Sequence, residues 1–375
     1  MARTLQNVPP VQKILLSFLL LIFTGTMFLL LPVSTVKGIS FIDALFTATS
    51  AVCVTGLIVL DTATDFTITG QVVILLLIQI GALGIMTFSI GILSIIGGSL
   101  SITWRFAFDR VYGGQDTIPM RSLLKRIVIY TFIIELIIAL ILFSRFSARF
   151  AAGMAAWHAL FHAVSAFCNA GFSTFSSNLV DYHGDYIAVL AVSVAIILGG
   201  LGFLVLAELN WAIRKGPGGF WSRLSIHTRF VLIITAILIV SGGGLFLVLE
   251  WSGSLAGMPV PLKFLTSLFQ SVTCRTAGFN TVDIGSLREN TLFMMIGLMF
   301  IGGSPGSIAG GIKTTTIGVI LLLIVNMFRG RRDLVIWERS LGRDVIEKSA
   351  TLVILAFLFI TLCTFILISV SGFHG

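Results

Sequence analysis

The chain has 375 residues, of which 57% are hydrophobic and only 11% are charged, and its mean hydropathy is +1.06. This composition excludes an ordinary soluble domain and indicates a polytopic membrane protein whose first partner is the lipid bilayer. The net charge of +8 would suit a nucleic-acid partner, but the basic residues are distributed as membrane-topology determinants, so no nucleic-acid binding is predicted.

Seven apolar runs are long enough to cross a bilayer, whose hydrocarbon core takes about 20 helical residues. The sixth run is overlong and interrupted by glycines, so it is predicted to contain a break. The runs lie near residues 11–32, 71–97, 123–145, 186–212, 229–250, 291–328 and 349–371.

The basic residues predict the orientation of these spans. Most of the 24 lysines and arginines lie in the N-terminal segment and in segments 105–126, 214–229 and 329–348, which fall on one side of this topology. By the positive-inside rule that side is cytoplasmic. The first run is too long for a signal-peptide core and is interpreted as a retained helix. We therefore expect a multi-pass protein of the cytoplasmic membrane with a cytoplasmic N-terminus.

A shorter amphipathic segment lies between the long runs three times, at 41–51, 157–167 and 261–274, and each has about half the length of a span. This order of elements, a helix followed by a half-helix, a glycine turn and a second helix, is typical of a re-entrant pore loop. A glycine at the tip lets backbone carbonyls turn toward a common axis and coordinate a cation. The candidate filter residues are Val54, Thr55 and Gly56, then Asn169, Ala170 and Gly171, then Thr276, Ala277 and Gly278.

The repeat predicts an all-α membrane protein built from copies of one unit. We assign residues 1–104 to the first unit, 105–215 to the second and 216–330 to the third. Residues 331–375 are interpreted as a cytoplasmic link followed by the first helix of a fourth unit that is incomplete in this chain.

The second helix of each unit contains a glycine motif, at 80–84, 198–202 and 301–306. In the first two units, close packing of helices explains it. In the third, the continuation is too polar for a lipid-facing helix, so residues 302–316 are predicted to form a non-helical gate loop inside the membrane. Its candidate residues are Gly302, Gly303, Ser304, Gly306, Ser307, Gly310, Gly311, Lys313 and Thr314.

Taken together, these motifs resemble the Trk/Ktr/HKT superfamily of potassium transporters, most closely the membrane subunit of the Ktr type. Segments 50–57, 162–173 and 270–280 are similar to its first three filter regions, and 303–316 is similar to its gate loop. The resemblance implies a K⁺ pathway of four repeats around a pseudo-four-fold axis. It also implies a homodimer and a cytosolic ring of RCK subunits, so that ATP, ADP or NAD would bind only to that partner.

The resemblance places the filter glycines of the family on Gly56, Gly171 and Gly278. A serine at the first of these positions accompanies Na⁺ transport in related plant proteins, so Gly56 favours K⁺, with Na⁺ coupling still possible. Two alternatives stay open: a Na⁺-selective or Na⁺-coupled carrier of the same fold, and a non-conducting scaffold. The chain has no phosphate-binding glycine motif, nucleophile elbow or HExxH motif, so no enzyme activity and no covalently bound cofactor are expected.

Several side chains outside the filter could carry chemistry. His158 and His162 have metal-ligand spacing on a half-helix but lack further ligands, so packing is the favoured interpretation. The cysteines that precede the three filter glycines are likewise expected to pack behind the filter. Glu135 is the better candidate for an ion relay, although pairing with a neighbouring polar helix is favoured. The remaining candidates are Glu208, expected at a cytoplasmic helix end, and Arg275, expected to brace the third filter turn through backbone carbonyls or through Asp283.

Overall fold

The structure is a computed structural model that describes residues 10–95, 120–216, 218–330, 335–336, 339–340 and 343–371. The predicted all-α membrane fold is confirmed, since the described β-strands are one short antiparallel pair, β1 (Val335–Ile336) and β2 (Arg339–Ser340). The α-helices are α1 (Pro10–Leu29), α2 (Phe41–Val52), α3 (Ile68–Ile95), α4 (Met120–Phe146), α5 (Ala152–Phe167), α6 (Tyr186–Leu201), α7 (Phe203–Arg214), α8 (Phe220–Arg223), α9 (Ile226–Glu250), α10 (Val260–Thr273), α11 (Glu289–Phe300), α12 (Thr314–Phe328) and α13 (Arg343–Ser371).

The helices repeat one arrangement three times. A long helix (α1, α4 or α9) is followed by a half-helix (α2, α5 or α10) and then by a second helix that is continuous in α3 and interrupted in the other two units. The three half-helices lie where the sequence predicts them, although α5 begins five residues earlier than expected. Of the unit boundaries, 104/105 and the residues directly after 330 lie outside the described ranges.

Four of the predicted spans are single described helices long and apolar enough to cross a membrane, at 68–87, 125–146, 226–250 and 345–370. The run at 186–212 is not one continuous helix, because α6 and α7 meet at a bend of 106°, which makes it a broken span or a re-entrant loop. The break predicted within 291–328 is confirmed, since α11 and α12 are separated by residues 301–313.

Polar caps fix where several helices begin. Ser40 and Asp43 form a capping box at the start of α2. The Asp185 carboxylate accepts the Ala188 amide at 3.1 Å and starts α6. Asp185 also pairs with Arg145 of α4 at 2.9 Å, so this ion pair joins the C-terminal end of α4 to the start of α6.

The main apolar core surrounds the half-helices. Phe161 and Phe167 of α5 and Phe269 of α10 are almost fully buried there. The filter residues Ala170 and Ala277 belong to the same buried cluster, so the core packing directly supports the filter segments. By contrast, α13 exposes an apolar surface along most of its length, which suits a lipid environment.

Candidate functional site

The three filter segments share an unusual backbone. In each, the residue two positions before the glycine and the glycine itself both have positive φ, at 55° and 80° in the first segment. A left-handed conformation is strained for β-branched residues such as Val54 and Thr276, and strain of this kind persists only where the surroundings impose it. In the other two filter segments, φ is 55° at Asn169 and 71° at Gly171, and 71° at Thr276 and 80° at Gly278.

The filter segments of neighbouring units touch through their glycines. A Cβ added to Gly56 would lie 2.6 Å from the carbonyl oxygen of Ala170, and one added to Gly171 would lie 2.6 Å from that of Ala277. Because a Cβ atom cannot approach that closely, these positions exclude every residue except glycine without a backbone shift. The second and third filter segments therefore direct backbone carbonyls toward the neighbouring filter glycine.

Each half-helix holds its filter segment by backbone hydrogen bonds. The Thr55 amide donates to the Ser50 carbonyl at 2.8 Å, and the Ala170 amide donates to the Ser165 carbonyl at 2.7 Å. In the third unit the Ala277 amide donates to the Thr273 carbonyl at 2.9 Å. The backbone of the filter is thus continued from the end of the half-helix rather than left as a free loop.

Hydroxyl groups fasten the far end of two filter segments but not of the first. Ser165 Oγ donates to the Phe172 carbonyl and Thr273 Oγ1 donates to the Phe279 carbonyl, both at 2.7 Å. The corresponding Ser50 hydroxyl is buried and has no hydrogen-bond partner among the described residues. The residue after the first filter glycine, Leu57, is 61% exposed, whereas both phenylalanines are 1% exposed.

The two histidines of α5 fasten the segment that follows the second filter. His162 Nε2 lies 2.9 Å from Ser173 Oγ, and His158 Nδ1 lies 2.7 Å from Thr174 Oγ1. His162 also stacks on Phe175, with ring centroids 4.5 Å apart. Both rings are buried, so their role in this structure is packing and hydrogen bonding around the filter.

The segment that follows the second filter also borders a cavity of about 420 Å³ whose lining includes Phe175 and Asp181. Tyr182 also lines it, with the Arg149 guanidinium 4.5 Å from the centre of its ring. Burial raises the pKa of Tyr182, and the neighbouring guanidinium opposes that shift.

The predicted gate loop is non-helical over residues 301–313. Its two ends are joined by backbone hydrogen bonds, from the Gly302 amide to the Ile312 carbonyl and from the Ile312 amide to the Phe300 carbonyl, each at 3.0 Å. Lys313 Nζ donates to the Ala309 carbonyl at 2.7 Å, so the loop itself supplies one acceptor for its ammonium group. The predicted end at residue 316 is wrong, because residues 314–316 form the first turn of α12.

The gate loop binds to the bend between α6 and α7. The Ser304 amide donates to the Gly200 carbonyl at 2.9 Å, and the Ser304 hydroxyl donates to the carbonyls of Gly200 and Leu201. In return, the Phe203 amide donates to the Gly306 carbonyl at 3.2 Å. The carbonyls released by the bend are therefore satisfied by a segment from the next unit.

Gly202 makes this bend possible. It has φ of 84°, and a Cβ there would lie 2.9 Å from the Pro305 carbonyl oxygen of the gate loop. The prediction that the 198–202 motif serves only close packing is therefore wrong for Gly202. For Gly81 and Gly199 packing is confirmed, since a Cβ would lie 2.1 Å from the Val52 carbonyl oxygen and 1.9 Å from that of Phe167, respectively.

Arg275 connects the third filter with the gate loop. Its guanidinium is buried, and Nη2 donates to the Gly302 carbonyl at 3.4 Å. The expectation that it pairs with Asp283 is wrong, because Asp283 caps its own turn by accepting the Gly285 amide. The sequence gives one signal for the observed role, which is that an arginine at membrane depth needs backbone carbonyls when no acid is near.

Glu208 and Glu250 both stabilise helix starts. Glu208 is fully buried on α7 and accepts the Ser225 hydroxyl at 2.7 Å and the Thr228 hydroxyl, at the first turn of α9. Glu250, at the end of α9, accepts the Thr291 hydroxyl at 2.6 Å in the first turn of α11. Carboxylates at helix N-termini complement the helix dipole, so both acids serve the fold.

The filter segments carry no charged side chain, and the described residues contain no group of three or more His, Cys, Asp or Glu side chains placed to hold a metal ion. Cys53 is exposed, whereas Cys168 and Cys274 are buried behind their filters. What the arrangement offers a cation is backbone carbonyl oxygen, together with the negative dipole ends of three half-helices.

The chain is similar in sequence and in fold to known proteins. The chain is 39% identical to the Ktr system potassium uptake protein B of Bacillus subtilis over 91% of this chain and 76% of that protein. It is 34% identical to the potassium/sodium uptake protein NtpJ of Enterococcus hirae, over 93% of this chain and 77% of the relative. The fold is similar to that of the potassium transporter TrkH of Vibrio parahaemolyticus, with a TM-score of 0.76 at 20% identity over 97% of this chain and 73% of that one.

These relatives are ion transporters and not enzymes. The model of the TrkH family, described as cation transport protein, matches residues 8–374, which is nearly the whole chain. The chain therefore belongs to the TrkH family of cation transport proteins.

Proposed function

We propose that this protein takes up K⁺ across the cytoplasmic membrane through the three filter segments. The observation that carries the proposal is their shared geometry. All three have the same pair of left-handed residues, and the carbonyls of Ala170 and Ala277 each lie against the filter glycine of the neighbouring unit. Carbonyl oxygens arranged in this way can replace the hydration shell of a bare cation.

The driving force is the membrane potential, which supplies about 2.3 kcal/mol per elementary charge for each 100 mV. The filter carbonyls that bind the ion are neutral dipoles. Release of the ion therefore leaves no unpaired charge in the filter that a counter-ion would have to neutralise. The half-helices α2, α5 and α10 end at the filter and turn their negative dipole ends toward the cation. K⁺ is the cargo, and no resident cofactor is assigned to this chain.

The loop at 301–313 is proposed to gate the path. The loop is bound through Ser304 to Gly200 of α6, and Gly200 in turn lies beside the second filter, since a Cβ added there would be 3.7 Å from the Asn169 side chain. Opening must break the hydrogen bonds between Ser304, Gly306 and the α6–α7 bend, or move that bend with the loop.

The proposed assembly is a homodimer with a cytosolic nucleotide-binding regulator of the RCK type. The names of two relatives support a multi-component system, since both are components of a Ktr system. Segment 329–348 follows α12 directly and therefore connects the gate loop to the side we assign as cytoplasmic. A regulator bound there could pull on α12 and so on the gate, and the N-terminus would lie on the same side.

A second candidate is a Na⁺-coupled or Na⁺-selective carrier of the same fold. Two observations favour this second candidate. One relative is named a potassium/sodium uptake protein. In addition, the first filter segment lacks the hydrogen bond from a half-helix hydroxyl to the carbonyl after the filter glycine that the other two segments have. Leu57, beside the first filter glycine, is also exposed, so the first filter segment differs from the other two.

The test is ⁸⁶Rb⁺ uptake by K⁺-uptake-deficient bacteria that produce the chain with a cytosolic regulator. We expect K⁺ to compete and Na⁺ not to compete. Gly56→Ser should reduce the discrimination, because its Cβ would lie 2.6 Å from the Ala170 carbonyl oxygen. Gly153→Ser is the matched control, since a Cβ there meets no atom within 4 Å. Equal competition by Na⁺ would favour the second candidate, and absence of uptake by membrane-inserted protein would reject both.

A further inference from the structure

A buried carboxyl group lies directly behind the second filter segment. Glu135 on α4 is 2% exposed, and its Oε1 is 3.8 Å from the Cys168 thiol. The Oε1 atom of Gln79, on α3 of the first unit, is 3.9 Å from the same sulfur. Cys168 ends α5 and immediately precedes the left-handed residue Asn169. Side chains from two units therefore meet at the residue that leads into the filter.

Burial of the Glu135 carboxyl group at this position costs free energy. It lies within the apolar span 125–146, where a carboxyl group is tolerated only with polar partners. Its second oxygen, Oε2, and the Gln79 amide nitrogen, Nε2, are both buried and without a hydrogen-bond partner in the part of the chain that the structure describes. An amide N–H and a carboxyl oxygen are complementary, and both side chains converge on one thiol, so the group is a self-contained polar cluster in an apolar core.

The cysteines that precede the other two filter segments have different surroundings. Cys53 is exposed, and Cys274 is buried in an apolar cluster with Phe246 and Met295. Asn169 is buried, and its side-chain nitrogen, in the orientation its surroundings favour, donates to the carbonyls of Ala166 and Ile196 at 3.2 Å each. Its left-handed backbone thus lies between the hydrogen bonds of its own side-chain amide and the Cys168 cluster.

We propose that Glu135, together with Gln79, is a positioning residue that fixes Cys168 and thereby the left-handed Asn169, and so sets the ion discrimination of the second filter segment. Glu135 does not touch the ion in this role. The thiol S–H donates to one carboxyl or amide oxygen, and the cluster resists a rotation of the Cys168–Asn169 peptide that would turn the filter carbonyl away. The inference rests on the proposed function, since it concerns the selectivity of the same pathway.

The first experiment compares Glu135→Gln, which keeps the shape and hydrogen bonding, with Glu135→Leu, which removes both. The readouts are ⁸⁶Rb⁺ uptake, with KM and maximal rate, and its inhibition by Na⁺. Loss of a hydrogen bond of ordinary strength corresponds to about a fivefold change. We expect Glu135→Leu to strengthen Na⁺ inhibition about fivefold with less change in maximal rate, and Glu135→Gln to restore most of the discrimination.

Cys168→Ser and Cys168→Ala repeat the comparison from the other side of the contact, because serine keeps a donor and alanine does not. Leu136→Ala is the control on the same helix, as Leu136 is 60% exposed and faces away from the core. Unchanged Na⁺ inhibition in Glu135→Leu would overturn the proposal. Loss of uptake in both Glu135 variants, with normal membrane insertion, would also overturn it, because it would assign a charge-relay role to the carboxylate.

A second measurement separates this inference from the proposed function. In a variant in which the other three cysteines are replaced by alanine, the Cys168 thiol is labelled with a maleimide in purified protein. Glu135→Leu should speed labelling about tenfold and Glu135→Gln should not, whether or not the chain transports Rb⁺. Equal labelling rates in all three proteins would reject the positioning role even if transport is confirmed, whereas the expected rates in a protein that fails to take up Rb⁺ would reject the transport proposal alone.

Discussion

The second helices of the first two units contain almost the same glycine pattern, at 80–84 and 198–202, but differ in structure there. In α3, Gly81 and Gly84 lie in one continuous helix from Ile68 to Ile95. In the second unit, Gly199 lies in α6, but Gly202 ends it and the chain turns by 106° into α7. Glycine permits both outcomes, so the difference must come from what lies next to it.

The neighbour in the second unit is the gate loop. Ser304 satisfies the carbonyls that the bend releases, and Phe203 donates back to Gly306. In the first unit a Cβ at Gly84 would meet only the tip of the Phe18 ring, at 3.2 Å. The comparison teaches that the loop proposed as the gate is docked through contacts between the second and third units, and that a helix bends where a partner satisfies the freed backbone groups.

The largest effect on folding and uptake is expected at the first glycine of each motif, where the first and second units are alike. Gly81→Ala and Gly199→Ala would each place a Cβ about 2 Å from a backbone carbonyl oxygen at the end of a half-helix. Backbone cannot move aside as a side chain can, so both variants should lose most folded, monodisperse protein and all Rb⁺ uptake. Gly244→Ala on α9 is the control, because its Cβ would meet no atom within 4 Å. Normal yield of either variant would contradict the packing interpretation.

The next effect separates the two units. Gly202→Ala forces a left-handed alanine, at a cost of about 1–3 kcal/mol, against the Pro305 carbonyl. Gly84→Ala meets only the flexible end of Phe18. We expect Gly202→Ala to change the Rb⁺ uptake rate about tenfold or more, and Gly84→Ala to stay within twofold of the parent. Similar rates for the two variants would show that the bend is not held by the gate loop.

Sequence reasoning found the pieces that repeat and missed the contacts between them. The half-helices, the glycine turns that follow them and the break after Phe300 follow from local signals, namely segment length, glycine and polarity at membrane depth. The bend at Gly202 could not be read in the same way, because its motif resembles that at Gly84 and the deciding partner, Ser304, is about a hundred residues away. The same holds for Arg275, whose acceptor is a carbonyl of the gate loop.

A smaller effect tests the contact itself. Ser304→Ala removes one hydroxyl that donates to two carbonyls at the bend and should weaken the docked state of the gate about fivefold. We expect higher Rb⁺ leak into cells that lack a regulator. Ser307→Ala is the matched comparison, because that hydroxyl donates within the loop, to the Ser304 carbonyl at 2.6 Å. If only Ser307→Ala raises the leak, the shape of the loop and not its docking controls the pathway.

The smallest effect returns to the difference between the first unit and the second, now at the filter. Ser165→Ala removes the hydroxyl that holds the Phe172 carbonyl and should weaken Rb⁺ over Na⁺ discrimination about threefold. Ser50→Ala removes a buried hydroxyl without a partner among the described residues, so it should leave discrimination unchanged and slightly raise thermal stability. Competition of Na⁺ with ⁸⁶Rb⁺ uptake and melting of the purified protein measure the two quantities. Equal losses in both variants would mean that Ser50 binds the Leu57 carbonyl during transport, which would make the first filter segment a working copy of the second.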